Sequence, residues 1–170
     1  MPVSGDLFKQ IGRTAAGSVS VVAAYHRVND SIVGLTASSF VTLSFEPPLV
    51  MFAVQQKADC YETILSSKAF GVSLLERSQS HVASLFARKG REKYERTQFT
   101  HGQTLHVPLI PDSLAHVECL TSQIFVSGDH AIVVGLVEAA QRIGGEPLLY
   151  FGGTYGSFTP APTVQEQRHG

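Results

Sequence analysis

The chain has 170 residues, 44% of them apolar and 16% charged, and its thirteen Lys and Arg against fourteen Asp and Glu leave a net charge of −1. That length predicts one domain with a full core, and the near-neutral balance argues against a general nucleic-acid binder, whose affinity rests on neutralising phosphates. The longest apolar runs, such as Leu49 to Val54, fall far short of the ~20 residues of a membrane span. The first twenty residues lack a signal core, and Cys60 and Cys119 form no CxxC pair, so a reducing, cytoplasmic setting without a disulfide scaffold or Cys-based zinc centre is expected.

A short helix is expected around Leu7 to Thr14, then a Val-rich strand from Gly17 to Tyr25. Asn29-Asp30 reads as a hairpin turn, with Ile32 to Thr36 as the return strand. Phe40 to Phe45 alternates, with Val41, Leu43 and Phe45 on one face, which predicts a half-buried strand. Glu46-Pro47-Pro48 ends it. The continuous run Leu49 to Val54 reads as a strand covered on both faces. Asp59 with Glu62 resembles a capping box for a helix that buries Tyr61, Ile64 and Leu65.

Phe70 to Leu75 is the next strand, and Ser78 is placed as the cap of a helix with Val82, Leu85 and Phe86 on one face. Arg88 to Arg96 holds five Lys or Arg and reads as a solvated face. Residues 97 to 113 read as loop. Two longer strands follow around Ala115–Cys119 and Ile132–Val137, joined through a turn at Gly128-Asp129-His130. Leu148 to Phe151 reads as the last strand. The domain is drawn at 1–158, with 159–170 as a C-terminal tail. About eight strands and two or three short helices predict a mainly β fold, a closed or nearly closed antiparallel barrel with helices outside. Charge well below the ~25% of an average domain points to surface covered by a second subunit or a ligand, so a homodimer is expected.

No GxGxxG, Walker A loop, HExxH or GxSxG elbow is present, and the seven histidines have no metal-ligand spacing, so no metal centre is expected. The informative segment is Gly34-Leu35-Thr36-Ala37-Ser38-Ser39-Phe40. Its small side chains let a ligand approach the backbone, and its hydroxyls and N–H groups can hold an anion such as phosphate. An ordinary Ser/Thr turn has the same composition, and the segment by itself leaves both readings open.

The longer string VGLTASSFVTLSFEPPLVMFAV, from Val33 to Val54, resembles the signature of the flavin-reductase-like, FMN-binding split-barrel family. Phe70-Gly71-Val72-Ser73-Leu74-Leu75, Leu85-Phe86-Ala87 with Lys93-Tyr94, Gly128-Asp129-His130, and Pro147-Leu148-Leu149-Tyr150 with Gly153-x-Tyr155 resemble further family segments in the right order, over roughly Phe8 to Phe158. The resemblance implies a split antiparallel β-barrel homodimer that binds FMN or FAD, oxidises NADH or NADPH, and hands reduced flavin to a partner monooxygenase. It places Thr36, Ala37, Ser38 and Ser39 along the ribityl chain and phosphate, and Val54 and Gln55 along the isoalloxazine ring. Phe86, Cys60 and Tyr155 fall close to the flavin, and Lys93 or Arg88 supplies charge to the phosphate. His130 is the candidate catalytic residue, at the nicotinamide. Cys60 and Ala58 stand where the family often has Thr and Ser, and Ser73 replaces its usual Asn. A flavin-binding electron carrier or store without a nicotinamide site is the alternative, and a split-barrel oxidase or other ligand-binding module is a third reading.

Overall fold

The computed structural model describes residues 3–26, 28 and 31–161. The N-terminal helix α1 (Gly5–Arg13) is capped by Ser4, whose hydroxyl accepts the Leu7 N–H, and Asp6 and Arg13 complement its dipole at the two ends. The expected first strand is broken at Val19 into β1 (Gly17–Ser18) and β2 (Ser20–Tyr25); β3 (Ile32–Ala37) returns antiparallel to β2. The Asn29-Asp30 turn lies outside the described residues. Next come β4 (Val41–Phe45) and β5 (Pro48–Gln55), then α2 (Tyr61–Ser66) and β6 (Ala69–Leu74). A 3-10 turn (Arg77–Gln79) leads into α3 (Ser80–Phe86), followed by α4 (Glu92–Glu95) and the short pair β7 (Thr100–His101) and β8 (Pro108–Leu109). The chain continues through the long hairpin of β9 (Ala115–Ser127) and β10 (His130–Arg142) to β11 (Leu148–Phe151) and β12 (Thr154–Ser157). The pair β7–β8 and strand β12 come in addition to the strands expected from the sequence.

Seven strands form one antiparallel sheet in the order β3-β2-β6-β9-β10-β5-β4, and β1-β11-β12 form a second. Two core clusters lie against the large sheet. One gathers Val22, Val50, Phe52, Val54, Phe70, Val72, Ala131 and Val133 under α2, which contributes Ile64. The other packs Val21, Ala23, Leu75, Ala83, Phe86 and Leu148 between β2, α3 and β11. Strand β2 therefore carries a core on each face, since its alternate side chains enter different clusters.

Several expectations are corrected. Leu49 to Val54 is not covered on both faces: Val50, Phe52 and Val54 are buried, whereas Leu49, Met51 and Ala53 remain half-buried. β4 is an edge strand, and the apolar side chains assigned to its buried face are open, with Val41 44%, Leu43 49% and Phe45 88% exposed. Asp59 does not cap α2. Cys60 stands at that position with no side-chain cap, because the Asp59 carboxylate is spent on the Gly90 N–H (2.7 Å) and the Lys93 ammonium (3.2 Å). Ser78 gives way to Glu76, which forms a reciprocal capping box with Gln79 ahead of α3. Within the basic run, Lys93 is 3% exposed.

Candidate functional site

The hydroxyl segment lies where β3 leaves the sheet for β4, and its hydroxyls have separate fates. Thr36 Oγ1 donates to the Ala83 carbonyl (2.7 Å), pinning β3 to α3. Ser39 Oγ accepts the Ala53 N–H (2.9 Å), holding the β3–β4 link on β5. Ser38 is exposed, and its hydroxyl makes no hydrogen bond within the described residues. Gly17 lets this link come close: a Cβ there would stand 3.1 Å from the Ser38 carbonyl oxygen. Alternation sends Ala37 inward, where it is 4% exposed.

Two cavities open on this segment and share Thr36 and Ala87 as a common wall. One, of about 240 Å³, lies between Val19, Ser38, Tyr150 and Tyr155. The Tyr150 and Tyr155 rings are 5.5 Å apart, and burial pushes the Tyr155 phenol upward. The other, of about 190 Å³, is lined by Gln55, Lys57, Asp59, Phe86, Arg88 and Lys93, among others. Phe86 is a core residue that also reaches this cavity; it packs edge-on to Tyr94 and Phe99. The Lys93 ammonium is held by Asp59 and by the Arg88 carbonyl (2.8 Å), so one of its three donors remains for a ligand. Tyr94 Oη accepts the Gly34 N–H (3.1 Å) and donates to its carbonyl (3.2 Å), fixing the helix that carries Lys93 to β3.

His130 opens β10 directly across the ladder from Gln55. Its Nδ1 lies 2.7 Å from Asp129 Oδ1, which leaves Nε2 for another partner, and the hydrogen bond to His130 holds the Asp129 carboxyl below its ordinary range. Gly128, at φ 59, makes the turn that Gln56 braces with bonds to the Asp129 and Gly128 carbonyls.

The structure thus gathers Thr36, Ser38, Gln55, Phe86, Lys93 and Tyr155 around the paired cavities, with His130 beside Gln55. It does not bring four of the expected side chains there, and one of them is Ser39, whose hydroxyl is turned to Ala53. Ala37 and Val54 point into the core, and Cys60 is 1% exposed within it, its thiol pushed up to about 11 by burial. Asp59, Lys57 and Tyr150 join the lining, although the sequence reading assigned none of them to the site. Asp59 carried the right signal, an acid shortly before a helix, but its partner is the lysine that follows 34 residues later. A separate cavity of about 410 Å³ lies under β7–β8, where the buried Glu118 carboxylate is occupied by the Thr104 and Leu105 N–H groups.

A free hydroxyl, a carboxamide, apolar and aromatic walls and several cations thus line one pair of cavities on a mainly β fold. The flavin reductase-like domain family matches residues 12–159, and the chain belongs to that family. It is 37% identical over 148 residues to the reductase component of 4-hydroxyphenylacetate 3-monooxygenase from Thermus thermophilus, covering 86% of this chain and 91% of that one. It is 32% identical to an NADH-dependent flavin reductase of a Rhodococcus species, covering 89% of this chain and 84% of the relative. Among solved structures, the NADH:FAD oxidoreductase SgcE6 of Streptomyces globisporus, in complex with NAD and FAD fragments, superposes with a TM-score of 0.85 at 29% identity, over 94% of this chain and 98% of that one. Among the described residues, no helix is long and apolar enough to cross a membrane.

Proposed function

We propose that the chain is an NAD(P)H-dependent flavin reductase that supplies reduced FMN or FAD to a partner monooxygenase in a reducing, cytoplasmic setting. The observation that carries this reading is the convergence of the free Ser38 hydroxyl, Gln55, Tyr155 and Lys93 on one pair of cavities in a member of this family. A flavin bound there supplies the hydride-accepting chemistry, with reduced nicotinamide as donor.

The chain's own residues bind and orient. Ser38 donates to the ribityl or phosphate oxygens. Thr36, its proton committed to Ala83, offers only an acceptor. Gln55 lies along the ring, and Phe86 and Tyr155 exclude water. Lys93 gives its remaining donor to the phosphate. Ala37 and Val54 serve through main-chain atoms, Ser39 by setting the link, and Cys60 is left out of the ligand shell. His130, oriented through Asp129, presents Nε2 to the nicotinamide carboxamide.

The reading includes a split-barrel homodimer. The outer face of the large sheet carries Leu49, Met51 and Ala53 of β5, Ile132 and Leu136 of β10, and Leu120 and Phe125 of β9, with no charged side chain among them. An apolar face of that kind is suited to a second copy. Sedimentation at micromolar concentration is expected to give about twice the 18.3 kDa chain mass.

Oxidation of NADH and NADPH with added FMN or FAD tests the activity. Turnover with at least one pair is expected. Flavin binding with no response to either nicotinamide would replace this reading with that of an electron carrier or flavin store, and absence of flavin binding would remove both.

A further inference from the structure

Resting on the flavin-reductase reading, we propose that the cavity between His26 and Arg91 is an adenylate subsite, and that the chain takes FAD in preference to FMN. This cavity, of about 300 Å³, is lined by His26, Ile32, Val33, Thr63, Arg91 and Tyr94, and Asp59 lines both it and the cavity holding Lys93. The volume is at the lower end for ligand pockets, which run from about 300 Å³. A ligand whose phosphate rests at Lys93 therefore has a second compartment directly beyond that phosphate.

The charges in the two compartments exceed what one terminal phosphate needs. Lys57, Arg88 and Lys89 line the first and Arg91 the second, and none of these four makes an ion pair among the described residues. The carboxylate facing them, Asp59, is already neutralised by Lys93. This concentration of free cations, in a chain of net charge −1, suits a pyrophosphate that continues past Lys93. Arginine is the side chain best fitted to bridge such oxygens.

The remaining walls offer what a nucleoside needs. His26 Nδ1 accepts the Val28 N–H (3.3 Å), which puts the ring proton on Nε2 and makes that atom a donor. The Tyr94 ring is held in place through its hydroxyl on Gly34, giving a fixed aromatic surface. Asp59 has used one acceptor direction on each oxygen, for Lys93 and for Gly90, and retains capacity for ribose hydroxyls.

Equilibrium titration of the purified chain with FMN, FAD and adenosine 5′-monophosphate tests this. FAD is expected to bind at least tenfold tighter than FMN, and the monophosphate to compete with FAD but not with FMN. Arg91 is exposed, so Arg91→Ala should fold normally; it is expected to weaken FAD about tenfold and FMN less than twofold, with His26→Ala moving FAD in the same direction. Equal affinity for the two flavins, or an Arg91→Ala loss shared equally between them, overturns the proposal. The adenylate of NADH is the other source of the same chemistry. If Arg91→Ala raises KM for NADH with FMN as acceptor and leaves the FAD-to-FMN ratio unchanged, the FAD assignment is overturned. A wild-type chain that binds neither flavin overturns the functional reading and this proposal together, whereas tight FMN binding without FAD preference overturns only the subsite.

Discussion

The two faces of the β5–β10 pair have the same hydropathy and different surroundings. Inward, Val50, Phe52, Val54, Ala131 and Val133 are sealed, none more than 3% exposed. Outward, Leu49, Met51, Ala53, Ile132 and Leu136 are left half-buried, and of that row on β10 Val134 is buried, at 5% exposure. Following the outward row along the ladder, Leu49 pairs with Leu136, Met51 with Val134, Ala53 with Ile132, and the row ends at Gln55 opposite His130. The face that lacks cover and the residues proposed to meet nicotinamide are thus one surface. A second copy seated on that face would approach the row that ends at His130, which links assembly to activity through a two-residue alternation.

Substitutions one residue apart on β5 separate the two faces most sharply. Phe52→Ala removes a ring that packs edge-on against Phe70 at 5.2 Å, and should cost about 3–5 kcal/mol in chemical denaturation. Met51→Glu should leave monomer stability nearly unchanged and place a charge in the proposed interface. It should raise the dimer dissociation constant roughly a hundredfold, about 3 kcal/mol, in sedimentation. A Met51→Glu chain as dimeric as wild type would take the interface off this face.

At the end of the outward row, His130→Ala should lower NADH-dependent turnover by around a hundredfold, the scale of a positioning defect, with the flavin dissociation constant within about twofold of wild type. Equal losses of turnover and flavin affinity would put His130 in the flavin site. The hydroxyl segment divides in the same inward and outward manner. Ser39→Ala strands the Ala53 N–H and should cost about 1–3 kcal/mol of stability. Ser38→Ala should leave stability alone and weaken flavin by about 1 kcal/mol, roughly fivefold. Replacing both at once would mix a folding effect with a binding effect, so the single variants are the informative ones.

Much of this was legible beforehand, and the failures share a physical cause. Order and type of the main elements followed from Val-rich alternation, Pro47-Pro48 and the Gly128-Asp129 turn, and the Thr36–Ser39 segment marked in the sequence has two cavities opening on it at Thr36 and Ser38. Hydropathy cannot distinguish a face covered by its own chain from one left for another molecule, so Leu49 to Val54 was read as doubly covered and Val41, Leu43 and Phe45 as buried. β2, whose Val21 and Val22 enter different cores, is sealed on both faces, as is β6 from Phe70 to Ser73. Local capping rules misplaced Asp59 and Ser78 because the competing partners, Lys93 for the first and the Glu76–Gln79 box for the second, depend on tertiary placement or on a reciprocal pair that starts two residues earlier. Cys60 was included through its neighbours in sequence, but one residue of rotation at the start of α2 turns it into the core while Asp59 faces the cavity.

The smallest expected effect tests how dry the inward side is. Burial pushes the Cys60 thiol up to about 11, with the Lys93 charge pulling weakly the other way, and burial pushes Cys119 up to about 12, whereas an ordinary thiol titrates near 9. Between pH 9 and 11 the unfolded thiols lose protons that the folded ones keep, so the unfolded state binds fewer protons and stability falls as pH rises. The thiols' contribution is complete below pH 9 and lost progressively as pH climbs through the folded values. Denaturation at pH 8 and at pH 9.5 should differ by something of order 1 kcal/mol on their account. The chain carrying Cys60→Ala and Cys119→Ala will have a lower absolute stability, because both sites are packed, but its slope over that pH interval should be flatter than the wild-type slope. A double variant with the wild-type slope would mean that the thiols titrate alike in both states. The inward face of this sheet would then admit water, and its contrast with the outward face would be one of degree.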